Sequence, residues 1–213
     1  MTEPAAFGRP KQARAKATID ALILETAKAM DTDGESGVRI QDISQATGVS
    51  IGSIYHHFGD RDGLIRATLV HQFAEQIRAD VPRVKEFMES IHSTAELTAQ
   101  FDRMGRFAKN HFANQSALSR AAVLGHTIGR PKLLSELTEV QGELTESTSE
   151  VMQLLQDRGI LKPELNPRAA AVFILGMLFG RAIAELDNHA VSEDEWIRAL
   201  LSALSGLFVA AAA

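Results

Sequence analysis

The sequence predicts an all-α protein of two domains, with a small helix-turn-helix domain near the N-terminus and a larger helical domain behind it. Three observations predict this. Apolar residues recur at three- and four-residue spacing along most of the chain, in stretches separated by short breaks. Strand-like alternation is nearly absent. Aromatic residues make up only 6% of the chain and β-branched residues do not cluster, so little favours a sheet. The 213 residues suffice for one or two domains at roughly 100–200 residues each. The predicted division is a flexible basic arm over 1–12, a helix-turn-helix domain over 13–66 and a larger helical domain over 67–213.

The first helix is expected over 13–32, where Ile19, Leu22, Ile23, Thr26 and Met30 make one apolar stripe. Asp33-Gly34 ends it, because Gly34 can take the left-handed conformation. A short helix follows over 40–47 with Ile40, Ile43 and Ala46/Thr47 inward, then Gly48, then a second short helix over 51–57. Asp60 caps a further helix from about Arg61.

Ser93 and Glu96 form a capping-box pattern, with Leu97, Phe101, Met104 and Ala108 continuing behind it as one helix. Pro131 suits the first turn of a long helix that carries Leu133, Leu137, Val140, Leu144, Thr148, Val151 and Leu155 and closes at Gly159. At about 28 residues it would be roughly 42 Å long. Asn166-Pro167 opens another helix running to about Asp187. Ser192 with Glu195 opens the last, which should end near Val209 or Ala210.

Composition narrows the function classes. There is no cysteine, which excludes disulfides, thiol catalysis and cysteine-based zinc sites. No run of about 20 uninterrupted apolar residues appears, and Met1-Thr2-Glu3-Pro4 opens no apolar leader, so a cytoplasmic protein without membrane contact is expected. The net charge of −5 argues weakly against nucleic acid. Its distribution says more: Arg9, Lys11, Arg14 and Lys16 fall within eight residues with no acid among them. Such an arm can hold phosphates, or it can be a solvated tail.

The informative stretch is 39–65. Gly48 gives two short helices a permissive turn, and Ile43, Val49 and Ile54 are spaced to lock them together. The second helix is polar where a groove-reading helix should be. Ser50 and Ser53 can donate to phosphates, Tyr55 can set its hydroxyl at the backbone, and His56 and His57 can reach phosphates or base edges. Ile51 lies on the same helix and Gly52 lets it approach closely. Tyr55 could instead pack within the domain. Adjacent helix positions point about 100° apart, so the two histidines do not converge on a metal.

The marks Ile43, Ala46, Gly48-Val49-Ser50, Ile54-Tyr55, His57-Phe58 and Leu64 resemble the DNA-binding domain of the tetracycline-repressor (TetR) family, over about residues 10–66. Some positions depart from that pattern. Arg39 stands where Ser or Thr commonly caps the first helix of the motif, and offers phosphate a cation instead. Ser44 replaces a small apolar residue. Arg61 stands where Lys is usual, and would keep a phosphate-holding role. Gly59 and Gly63 are expected to loosen this junction.

The resemblance implies a helical ligand-binding and dimerisation domain for the rest of the chain. The residues support the dimerisation half. Val172, Phe173, Leu175, Met177, Leu178 and Phe179 make the helix at 167–187 apolar nearly all round, and Trp196, Leu200, Leu204, Leu207 and Phe208 line the last one. Two such helices from each of two subunits would form a four-helix bundle, with Ala182, Ala184, Ala203 and Gly206 permitting close approach. The alternative is an ordinary internal core. Phe101, Met104, Phe107, Phe112, His126 and Met152 could line an effector cavity, although each alone suits a core equally well.

No nucleophile elbow, P-loop or dinucleotide fingerprint is present, so neither an enzyme nor a cofactor is expected. Glu136, Glu139, Glu143 and Glu146 read as a solvated face. The expected function is a ligand-responsive regulator, a repressor by preference, that binds palindromic operator DNA as a homodimer and is released by a small molecule. The helix from Arg61 would carry that motion. The rivals are a helical carrier or sensor that no longer binds DNA and, more remotely, an all-α enzyme.

Overall fold

A computed structural model of the chain describes residues 11–78, 81–114, 117–189 and 191–210. The fold is all-α, and the chain divides into two compact units at Gln72/Phe73.

The N-terminal unit begins with α1 (Lys11–Asp33), which buries Leu22, Ile23 and Thr26. The Thr26 hydroxyl donates to the Leu22 carbonyl at 2.7 Å, so this buried polar group is satisfied within its own helix. Gly34, at φ 65°, ends α1 and leads into a single 3-10 turn at Glu35–Gly37. Then come α2 (Ile40–Thr47) and α3 (Ile51–Phe58), and α4 (Arg61–Arg78) starts here. Leu22, Ile40, Ile43, Ile54 and Leu64 form one core, with Ala29, Val49 and Phe58 packed against it. Each buried Leu or Ile contributes about 1.5–3 kcal/mol. Helices this short have little stability of their own, so this shared core is what holds them.

The C-terminal unit contains α5 (Val81–Glu89), α6 (Thr94–Ala99), α7 (Phe101–Asn114), α8 (Ala117–Gly125), α9 (Pro131–Asp157), α10 (Pro167–Leu186) and α11 (Glu193–Ser205). In it α10 packs on α9 and α8, α5 packs on α9, and α11 packs on α7. The core is built from Met88, Ile91, Leu97, Val151, Met152, Leu155, Ile160, Leu161, Ala170, Ala171 and Phe208. Asn166 caps α10 through its side chain, with Pro167 at the first position. Ser192 and Glu195 close a reciprocal capping box on α11. That geometry holds the Glu195 carboxyl below its usual range, chiefly through the Ser192 hydroxyl and then through its backbone N–H.

Three expectations about elements need correction. The helix expected through Leu97, Phe101, Met104 and Ala108 is broken at Gln100, whose N–H bonds back to Glu96 and Leu97. The last helix ends at Ser205, not near 209. Phe208 pairs with Leu161 instead, through Lys162 N–H to Leu207 O at 3.1 Å and Val209 N–H to Ile160 O at 2.9 Å. Helices α5 and α8 and the 3-10 turn have no counterpart in the sequence reading.

Candidate nucleic-acid interface

The turn between α2 and α3 is made by Gly48 (φ 70°, ψ 8°), a left-handed conformation that a β-carbon disfavours. Two hydroxyls tighten it. Thr47 Oγ1 donates to the Ile43 carbonyl at 2.7 Å, and Ser44 Oγ donates to the Val49 carbonyl, also at 2.7 Å. Ser44, read from sequence only as a departure, thus ties α2 to the residue that enters α3.

Ser50 caps α3 by accepting from Ser53 N–H at 3.2 Å, and its own hydroxyl proton stays available for a phosphate. Ile54 is fully buried and anchors the helix. Around that anchor the outer surface of α3 is Ile51, Gly52, Tyr55, His56 and His57, all exposed, while Ser53 is half-buried. Tyr55 is 45% exposed, and its hydroxyl makes no hydrogen bond among the described residues. The rings of His56 and His57 meet edge-on at 5.5 Å, and no three His, Asp or Glu among the described residues are placed to hold a metal. The helix offers donors and acceptors outward over an apolar base, which suits base edges and phosphates.

Of the basic candidates, Arg39 is exposed at the N-cap of α2, makes no cap bond, and forms no ion pair among the described residues. Arg14 is exposed on α1, and Lys16 pairs with Asp20 at 2.7 Å. Arg9 and the side chain of Lys11 lie outside the described residues. Arg61 is placed differently from the sequence expectation. Its Nε donates to the Val38 carbonyl at 2.7 Å and its Nη2 donates to the Glu35 carbonyl, while Nη1 lies 3.5 Å from Asp62 Oδ1. All three guanidinium nitrogens face groups of its own domain.

The expectation that Gly63 loosens the start of α4 is also corrected. Gly63 is buried, and a β-carbon there would fall 1.9 Å from the Phe58 carbonyl oxygen. Its N–H bonds to the capping Asp60 side chain at 2.6 Å. The glycine lets two backbone segments touch, so the junction is tight.

In the C-terminal unit, Phe101, Met104 and Met152 join one apolar cluster, and His126 is half-buried just after α8. The side chains of Phe107 and Phe112 lie outside the described residues. The residues expected at a subunit interface divide. Leu200 and Leu204 are buried in the chain's own fold, and Leu207 packs against its core. Trp196 lies over Gly180, where an added β-carbon would sit 3.3 Å from the ring, and its indole N–H is buried without an acceptor among the described residues. Met177 is half-buried. Of these only Phe173 is exposed, by about half, together with Val172 on the same helix and with Ile183 and Leu186, which the sequence reading did not name. The signal was there in α10 being apolar on every side, but one-dimensional periodicity cannot say which side the chain itself covers.

Residues 22–68 match the family described as bacterial regulatory proteins, tetR family. Over 200 residues the chain is 20% identical to the HTH-type transcriptional regulator UidR of Escherichia coli, covering 93% of this chain and 97% of that protein. Over 179 residues it is 24% identical to the A-factor receptor protein of Streptomyces griseus, covering 84% of this chain but only 59% of the receptor's length. The fold is similar to the solved structure of a candidate TetR-family transcriptional regulator from Mesorhizobium loti. There the TM-score is 0.73 at 19% identity, covering 94% of this chain and 99% of that one.

Proposed function

The chain belongs to the tetR family of bacterial regulatory proteins and is a DNA-binding transcriptional regulator, and from that premise we propose that it is a cytoplasmic repressor acting as a homodimer on a palindromic operator. Residues 13–66 read the DNA, with Ser50, Gly52, Ser53, Tyr55, His56 and His57 facing the major groove and Arg39 on phosphate. Residues 67–213 dimerise and bind a small-molecule effector that releases the operator. The observation that carries this reading is the outward polar face of α3 over the buried Ile54, where the tyrosine hydroxyl has no partner among the described residues, together with the exposed Arg39 at the N-cap of α2. Repression is preferred because a bound dimer occludes a promoter without needing a partner surface.

Dimerisation is supported by α10. Val172, Phe173, Ile183 and Leu186 are each about half exposed or more, an apolar stripe that a second copy would cover. By length and composition α10 is also apolar enough to cross a membrane, and only 18% of its apolar window is buried. Pairing with its symmetry mate removes the same surface from water. For the effector, the cluster around Phe101, Met104 and Met152 offers an adaptable apolar environment.

Selection of bound sites from a random duplex pool tests the reading. Enrichment of an inverted repeat whose half-sites lie about one helical turn apart is expected. Failure to enrich any duplex would favour a helical sensor that does not bind DNA, in keeping with the net charge of −5.

A further inference from the structure

We propose that Arg61 is a positioning residue, which fixes the peptide carrying Arg39 and so aims that cation at DNA, and does not itself hold a phosphate. The inference rests on the DNA-binding reading of this domain. Arg61 opens α4, where a positive charge faces the positive end of the helix dipole. That location needs an offset, and the structure supplies three oxygens: the carbonyls of Val38 and Glu35 and the carboxylate of Asp62. Two of the three guanidinium nitrogens are thereby committed to backbone carbonyls of the same domain, although the side chain stays 39% exposed.

What it holds is specific. The Val38 carbonyl belongs to the peptide bond whose nitrogen is Arg39's. The Val38 side chain is 1% exposed, so this peptide is held by the core on one side and by Arg61 on the other. Arg39 follows in extended conformation (φ −116°, ψ 120°) as the N-cap of α2, exposed, with no cap bond and no ion pair among the described residues. Its backbone is fixed from within and its side chain is left for an external anion. Lysine could not replace Arg61 in this role, because a single ammonium lacks the planar fork that reaches two carbonyls in fixed geometry. A direct phosphate contact has the opposite requirement. There the charge matters most, and lysine serves well.

The test uses the full chain and a random-sequence duplex at low salt, so phosphate contact is read without knowing an operator. Arg61→Lys should weaken binding about tenfold, the loss expected for one charge-assisted contact. In an Arg39→Ala background the same change should cost little further, since the cation it positions is already gone. Amide exchange at residues 38–40 should quicken in Arg61→Lys while Ile54 stays protected, a local readout that does not depend on DNA. Full binding by Arg61→Lys would overturn the inference and return Arg61 to the phosphate. Equal losses in both backgrounds would also overturn it, by making the role one of general stability. No binding by the wild type, with the exchange result intact, would overturn the DNA reading on which it rests.

Discussion

Gly52 occupies the second position of α3, with open space where a side chain would begin. No feature of the chain's own fold requires a glycine there, and in a helix glycine is less favourable than alanine. A stability gain has been forgone, which makes sense if something outside the chain must come close. Gly52→Ala should therefore raise stability by about 0.5 kcal/mol while weakening DNA binding, read by thermal melting and by mobility shift. Undiminished binding in the stabilised variant would place the close approach elsewhere. Tyr55 poses the complementary case. Its hydroxyl has no partner among the described residues, so Tyr55→Phe should leave the melting temperature in place and lower DNA affinity by about 1 kcal/mol. A loss of stability with unchanged affinity would show that the hydroxyl serves the fold.

At the scale of the element, what was legible in the sequence is what local chemistry decides. Gly34, Gly48, Asn166 with Pro167, and Ser192 with Glu195 mark helix ends through backbone freedom and capping bonds, and each does so in the structure. What was not legible depends on partners distant in the chain. The last helix stops at Ser205 because Leu207 and Val209 bond to the segment at 160–162, a pairing invisible to helical periodicity. Arg61 looks like a surface cation until the carbonyls 23 and 26 residues earlier are placed beside it. Gly63 looks flexible until the Phe58 carbonyl is found where its side chain would go. That contact yields a prediction for the α3–α4 junction. Gly63→Ala must displace backbone and should cost about 3 kcal/mol, while Gly52→Ala, also a helical glycine, stabilises. Equal melting temperatures for these two alanine variants would show that the junction yields without strain.

For the whole molecule, assembly turns on which apolar residues the chain covers by itself. Leu204 is one of the residues expected from sequence at the interface, yet it is 8% exposed within the single chain, whereas Ile183 is 75% exposed. The two positions separate fold from assembly. Leu204→Glu buries a carboxylate without a partner in the chain's own core and should cost several kcal/mol of stability whether or not a dimer exists. Ile183→Glu places the charge in water if the chain is a monomer, where it should change stability by no more than about 0.5 kcal/mol. If α10 pairs with a second copy through Val172, Phe173 and Ile183, the same charge enters a dry interface and the dimer should dissociate into folded chains of 23.1 kDa. Gly176, exposed and with open space around it on the same helix, lets the two backbones approach, and Gly176→Leu should act in the same direction by steric means. Sedimentation of the wild type at twice the chain mass, of Ile183→Glu as a folded chain at the single mass, and loss of binding to an inverted repeat by that variant would fit α10 as the interface. The last outcome follows because a single subunit presents one α3 and makes half of the contacts. A wild type that sediments as a monomer while binding an inverted repeat tightly would end the assembly model. An Ile183→Glu protein that stays dimeric would move the interface off this stripe and leave the α3 surface as the DNA-reading face.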